Sequence, residues 1–254
     1  MINKACLLAI CMATLPLNAH ALSLPEELPF HIQQENIAWL WDADLQPQNN
    51  RHVASLTEHI LLTGSRMLHR FRQSSPVITP LTASTPLVHV EFDILHPPPS
   101  PTIFHDEILH AVLSASKRST SGWVQLDYEA RPSHRVFYKS LVHDIKTALS
   151  PNIKLSVTAL AWWCHSNDWL DNLDADEVVP MFFRMGRSAQ QMNDILARAP
   201  ERLHVRCRAT SPHSAIGFAV QEAPAQDVVQ RYAKVYWFNY TRWKEKSAWP
   251  PLTK

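Results

Sequence analysis

The segment GWVQLDYE, residues 122–129, puts Val124, Leu126 and Tyr128 on one side of an extended strand and Gln125, Asp127 and Glu129 on the other, because successive side chains of a strand point to opposite faces. Other segments repeat the design. In LVHVEFD (87–93), Val88, Val90 and Phe92 oppose His89, Glu91 and Asp93. In IKLSVTALAWW (153–163), Leu155, Val157 and Ala159 oppose Ser156 and Thr158, and in RLHVRCRA (202–209), Leu203, Val205 and Cys207 oppose His204, Arg206 and Arg208. An open antiparallel sheet would turn such polar sides to water. Here, however, helical patterns separate the strands, which implies parallel strands joined by crossovers. In a closed parallel barrel the outer face packs under helices and the inner face fills the lumen. We therefore place the apolar sides outward and the polar sides inward, the basic side of 202–209 pairing with the acidic sides across the lumen.

Eight strands are expected: 36–42, 87–93, 122–129, 153–163, 177–185, 202–209, 215–221 and 233–239. Helices are expected over 102–118, over 134–149 with Ser133 as cap, and over 189–199, where Ser188 and Gln191 make a capping box. EHILLTGSRMLHR (58–70) reads as a hairpin in the first crossover, and the 209–215 connection is too short for a helix. The fold class expected is thus α/β, an irregular TIM-like (β/α)8 barrel in a single domain, with a doubly wound open sheet as the alternative.

The chain begins with Lys4, an apolar run over 5–17 and Ala19-His20-Ala21, the pattern of a secretory signal peptide. The expected organisation is a signal over 1–21 and a barrel domain over 22–254, exported to the periplasm or secreted, with no membrane span. Lys4 is the only charged residue of the first 21, so the remainder carries 23 basic and 23 acidic residues. That balance argues against a nucleic-acid partner, which needs a basic face. Only four glycines occur, and no phosphate-cradling glycine motif is among them. Beyond the signal, Cys164 and Cys207 stand alone on strand-like segments and are read as buried thiols, a disulfide being the alternative that export permits.

Barrel enzymes place their chemistry at the C-terminal ends of the strands. Asp127 and Glu129 lie there, their Cα atoms roughly 6.6 Å apart on one face. A neighbouring carboxylate raises the pKa of the second, so Glu129 is the candidate acid beside an ionised Asp127, the division of labour that glycoside hydrolysis needs. Asp42, Glu91, Asp93, Gln125 and Arg184 are candidate substrate-binding groups, and Trp162 and Trp237 candidate platforms for the apolar faces of sugar rings. Trp41, Trp163 and Trp243 also fall at or after strand ends, whereas Trp39 is read as packing. No metal or other cofactor is expected. His89-x-Glu91-x-Asp93 with His204 defines a metal-dependent alternative, but the spacing is not a specific one.

GWVQLDYE is similar to the strand signature DxxDxDxE of the chitinase-type glycoside hydrolases. That resemblance would make Glu129 the acid that protonates the glycosidic oxygen and Asp127 the residue that helps position the substrate, with Gly122 and Gln125 departing from the signature's earlier Asp positions. VQLDYEARPS…FYKSLVHDIK, LSVTALAWWC and DEVVPMFFRMG resemble successive blocks of a bacterial secreted domain-of-unknown-function family, which implies export and a TIM-like fold akin to glycoside hydrolases. The function expected is that of an exported glycoside-hydrolase-like protein acting on a carbohydrate such as a cell-envelope glycan. The alternative is a non-catalytic barrel that binds glycan or an envelope partner.

Overall fold

The structure is a computed structural model. It describes residues 34–41, 44–69, 78–165, 167–209 and 214–251. The expected signal peptide and Asp42 lie outside the described residues. The barrel falls within one compact unit, Ile32–Lys254.

Nine strands form one sheet: β1 (Glu35–Leu40), β2 (His52–Thr63), β3 (Arg66–His69), β4 (Ala83–Phe92), β5 (Trp123–Tyr128), β6 (Lys154–Leu160), β7 (Glu177–Met181), β8 (Ala215–Ala219) and β9 (Lys234–Phe238). The order is β1-β9-β8-β7-β6-β5-β4-β2-β3, and β1 also pairs with β2. Every pairing is parallel except that of β2 with β3. Eight parallel strands therefore close on themselves, which removes every edge of the barrel sheet, while β3 is a short antiparallel addition to the upper end of β2. The TIM-like barrel is the fold, and the doubly wound open sheet is not.

Helices α1 (His105–Ser116), α2 (Arg135–Ala148), α3 (Asn167–Leu170), α4 (Ala189–Arg198) and α5 (Gln226–Val229) lie between the strands. α2 illustrates why they pack: Tyr138, Leu141, Val142 and Ile145 recur at three- and four-residue spacing and are buried. None of the described helices is long and apolar enough to cross a membrane. The expected side-chain caps do not form. A 3₁₀ turn, Pro132–His134, leads directly into α2, and the Ser188 hydroxyl donates to the Met185 carbonyl instead of capping α4.

The two faces of the strands separate as their alternation requires. Val88, Val90, Val124, Leu126, Leu155 and Val157 pack outward in one cluster with Ile108 and Val112 of α1 and Leu141 and Ile145 of α2. A second, smaller cluster fills the lumen, with Ile37 and Trp39 of β1, Ala54 and Leu56 of β2, Leu87, Val179, Ala215 and Tyr236. Running through it, the polar inward residues bond in a chain. Trp39 Nε1 donates to Gln125 Oε1 (2.6 Å), Gln125 Nε2 to Ser156 Oγ (3.0 Å), and Ser156 Oγ to Glu177 Oε1 (2.9 Å). Glu177 also receives Lys234 Nζ (2.7 Å) and the Tyr236 hydroxyl (2.7 Å). A buried carboxylate is tolerable when paired and hydrogen-bonded in this way.

Two sequence expectations need correcting. The eighth strand is β2, not 202–209. Residues 200–207 form two 3₁₀ turns outside the sheet, and β7 pairs directly with β8. The alternation there has another cause: Leu203 and Cys207 are buried against the barrel while Val205 is 62% exposed. The Arg206 guanidinium donates to the carbonyls of Leu173 and Ala175 and so turns away from the lumen. The cation that meets the buried carboxylate of the floor is therefore Lys234. Second, Cys164 and Cys207 are not thiols but a disulfide, with Cα atoms 5.9 Å apart.

Candidate active site at the mouth of the barrel

Parallel strands present the ends of their inward side chains to one mouth, and there the lumen opens into a cavity of about 550 Å³. Its floor is Trp39 and Leu87, and one wall is aromatic: Trp41, Phe183 and Phe238. The rings of Phe183 and Phe238 stack at 5.5 Å and 10°, and Trp41 meets Phe238 edge-on at 5.9 Å. Most of the remaining lining is polar, with His59 of β2, His89 and Glu91 of β4, and Asp127, Glu129 and Thr158 of β5 and β6 or their ends. A concave site that joins apolar and aromatic surface to convergent polar groups is the usual form of a small-ligand site.

His59 and His89 are side by side because their Cα atoms pair directly in the β2–β4 register. That juxtaposition depends on a bulge. The register shifts between Leu56 and Glu58, leaving Thr57 as the extra residue, its hydroxyl donating to the Leu87 carbonyl at 3.0 Å. An extra residue reverses which alternate side chains face inward. Without it, Glu58 would point into the lumen in place of His59.

Asp127 is 4% exposed and both of its oxygens are engaged, one with His89 Nδ1 (2.8 Å) and the other with the Thr158 hydroxyl (2.5 Å). Burial opposes its charge, but His89, the Thr158 hydroxyl and His59 together outweigh burial and hold the carboxyl below its ordinary range. The partner responds in kind. Burial works against a charge on His89, yet Asp127, then Glu91 and Glu129, push its pKa up to about 9. Glu91 is held down to about 2, first by its interaction with His89. Glu129 goes the other way. Just past the end of β5, it is exposed to the cavity, but the recess withholds part of its hydration, and the charge of Asp127 adds to that. Both raise its pKa above the ordinary 4.5, against the smaller opposing influence of His89. Two carboxyls on one face are thereby driven apart.

Arg184 closes the rim. Its φ of 52° is unusual for a residue with a Cβ. The backbone there is held by a hydrogen bond from Arg184 N to Glu222 Oε2 (3.1 Å), and the guanidinium lies over Phe238 (5.2 Å) and Tyr240 (4.7 Å).

Of the sequence candidates, Asp127, Glu129, Glu91 and Arg184 meet in this cavity. Gln125 does not reach it, being fully buried in the floor chain between Trp39 and Ser156. Asp93 turns aside to clasp the loop after β4, accepting from the Thr63 hydroxyl (2.8 Å) and the backbone N–H of Leu95 (2.9 Å). Trp237 points to the outer layer, where it packs on Phe218 and donates to Asn36 Oδ1. Trp162 stands 37% exposed in a separate aromatic group with Trp163 and Trp169. Trp163 stacks on Trp169 at 4.2 Å within that group, and Trp243 is buried, donating to the Trp39 carbonyl. His204 pairs with Asp171 outside the barrel. The aromatic side chains that line the cavity beside Trp39 are Trp41, which was among the sequence candidates, and two phenylalanines, Phe183 and Phe238. Neither phenylalanine is among the residues expected at the site, although both follow inward residues at two-residue spacing. His59 was missed for a different reason, since the bulge that turns it inward breaks the alternation.

No protein-family model matches the chain and no curated protein does, so the family likeness of its sequence blocks gains no support from either. Among solved structures, the Bacillus cereus spore cortex-lytic enzyme SleL is similar at a TM-score of 0.44 and 14% identity. The match covers 74% of this chain and 50% of that one, so the chain spans about half the length of that enzyme. A likeness at this level carries no argument about chemistry, and the closed barrel stands on its own strand pairings.

Proposed function

We propose that the protein is an exported glycan-acting hydrolase in which Glu129 is the general acid. The observation that carries this reading is the placement of a raised-pKa carboxyl, Glu129, two residues from an ionised one, Asp127, inside an aromatic-walled cavity at the C-terminal mouth of a parallel barrel. Glu129 reaches the cavity and is the group that protonates the leaving oxygen. Asp127 has no free oxygen for bonding to a sugar. It acts through its charge, which adds to burial in raising the pKa of Glu129, and through its hold on His89 and Thr158. Trp41, Phe183 and Phe238 offer flat apolar surface to sugar rings, and Glu91 and Arg184 take hydroxyl or acidic substituents.

The test is reducing-sugar release from peptidoglycan, chitin-type and exopolysaccharide substrates. Glu129→Gln keeps the size of the side chain and removes the proton, so release should fall about 10²- to 10⁴-fold, the usual contribution of a general acid. No release by the wild type, with glycan binding shared by both proteins, would replace this reading by a binding barrel.

A further inference from the structure

We propose that His59, His89 and Glu91 form a binding site for a divalent transition-metal ion of the zinc type. This goes beyond the glycan-acting reading and does not rest on it. The three side chains each offer one ligand atom, and these atoms lie within 4.8 Å of one another. His59 Nε2 is 3.0 Å from Glu91 Oε1, and His89 Nε2 is 3.8 Å from Glu91 Oε2. Bonds of ~2.0–2.2 Å to a tetrahedral ion set ligand atoms ~3.3 Å apart, so side-chain shifts of about 1 Å complete the site.

The strands supply the geometry. His59 and His89 are register partners on β2 and β4, and Glu91 is the next inward residue of β4. The bulge at Thr57 exists in the one barrel strand where it brings a second imidazole beside the first.

The surroundings are built as a metal site's are. His89 gives its Nδ1 to Asp127 (2.8 Å), which leaves Nε2 facing His59 and Glu91. Asp127 is itself fixed by the Thr158 hydroxyl. Metal-binding histidines nearly always spend their second nitrogen on a carboxylate or carbonyl in this way. Trp41 packs edge-on against His89 at 5.0 Å and holds the ring from the other side. Two imidazoles and a carboxylate suit zinc or a neighbouring first-row ion rather than calcium or magnesium, which prefer oxygen alone. Three protein ligands leave a position open to the cavity, the arrangement of reactive rather than structural sites.

The experiment is a Co²⁺ titration of the chelator-stripped protein, followed by visible absorption, with Zn²⁺ as competitor and no sugar present. One equivalent should bind with the strong ligand-field bands of a four- or five-coordinate site and be displaced by Zn²⁺. His59→Ala and Glu91→Gln change side chains that are not fully buried, and thermal melting checks their folding. Each should weaken binding at least ~10-fold, and Asp127→Asn, which removes no ligand, should weaken it ~10- to 100-fold. His105→Ala, at the start of α1 and outside the cavity, should leave the titration unchanged. Absence of saturable binding, or binding that survives His59→Ala and Glu91→Gln undiminished, would overturn the proposal and leave the cluster an ion-pair network. Glycan release is measured separately, so failure of the metal site and failure of the glycan-acting reading are distinguishable.

Discussion

At the scale of single residues, the site turns on how Glu129 and Asp127 divide one environment. They share a strand face, yet the pKa of Glu129 is raised and that of Asp127 lowered. Around Glu129 stand Asp127 on its own strand, His89 and Glu91 on β4, and Arg184 after β7. The sign of the pH effect follows from its raised pKa. Below the ordinary value of 4.5 the carboxyl is protonated whether the chain is folded or not, and its ionisation costs nothing. As pH rises through the folded-state pKa, the native protein must bear a charge the recess disfavours, and stability is lost. Glu129→Gln should therefore melt higher than the wild type at neutral and alkaline pH, with the gain shrinking to nothing below about pH 4.5. A gain equally large at acid pH, read from melting curves across the range, would mean that the carboxyl is not strained. The same proton should set the alkaline limb of activity, at a pH above the usual carboxylate range.

At the scale of elements, the barrel's strands are cut to fit one another. Gly217 of β8 faces the lumen opposite Trp39 of β1, and a Cβ at that position would stand 2.5 Å from Trp39 Cη2 and 2.7 Å from Cζ3. No flexible end of a side chain is there to yield, because the indole is 3% exposed and tied to Gln125 through its Nε1. Gly217→Ala should cost about 1–3 kcal/mol, the ordinary penalty of overpacking. It should also displace the Trp39 indole, which forms the cavity floor. Chemical denaturation measures the first and indole fluorescence the second, and an unchanged midpoint would show that β1 and β8 can part without penalty. The bulge in β2 works at the same level. One inserted residue, Thr57, changes which of two neighbours, Glu58 or His59, enters the site.

At the scale of the whole molecule, the disulfide ties the segment after β6 to the segment before β8, closing a loop with a sequence separation of 43. The connection between β6 and β7 has only the four-residue α3, and the 200–209 turns are held against it by the covalent bond and by Arg206. Restricting the unfolded chain over such a loop is worth about 3–4 kcal/mol. Reduction, or Cys164→Ser with Cys207→Ser, should lower the denaturant midpoint accordingly, while the cavity, which neither cysteine lines, keeps its ligand binding. Equal midpoints with and without reductant would contradict this.

The sequence by itself determined the alternation of strand and helix, the outward apolar and inward polar faces of β4, β5 and β6, and the meeting of Asp127 and Glu129 at a strand end. These are local properties, set by the two-residue period of a strand and the near four-residue period of a helix. Closure of the sheet, the choice of β2 over 202–209 as eighth strand, and the company that Glu129 keeps were decided only in the tertiary structure. Period-two alternation records that one side of a segment is buried. It does not record whether burial comes from a strand in the sheet, as at β4, or from a strap across its outside, as at Leu203 and Cys207. Nor does it survive an inserted residue, and the bulge before His59 hides from the sequence a histidine that the fold sets beside His89 and Glu91.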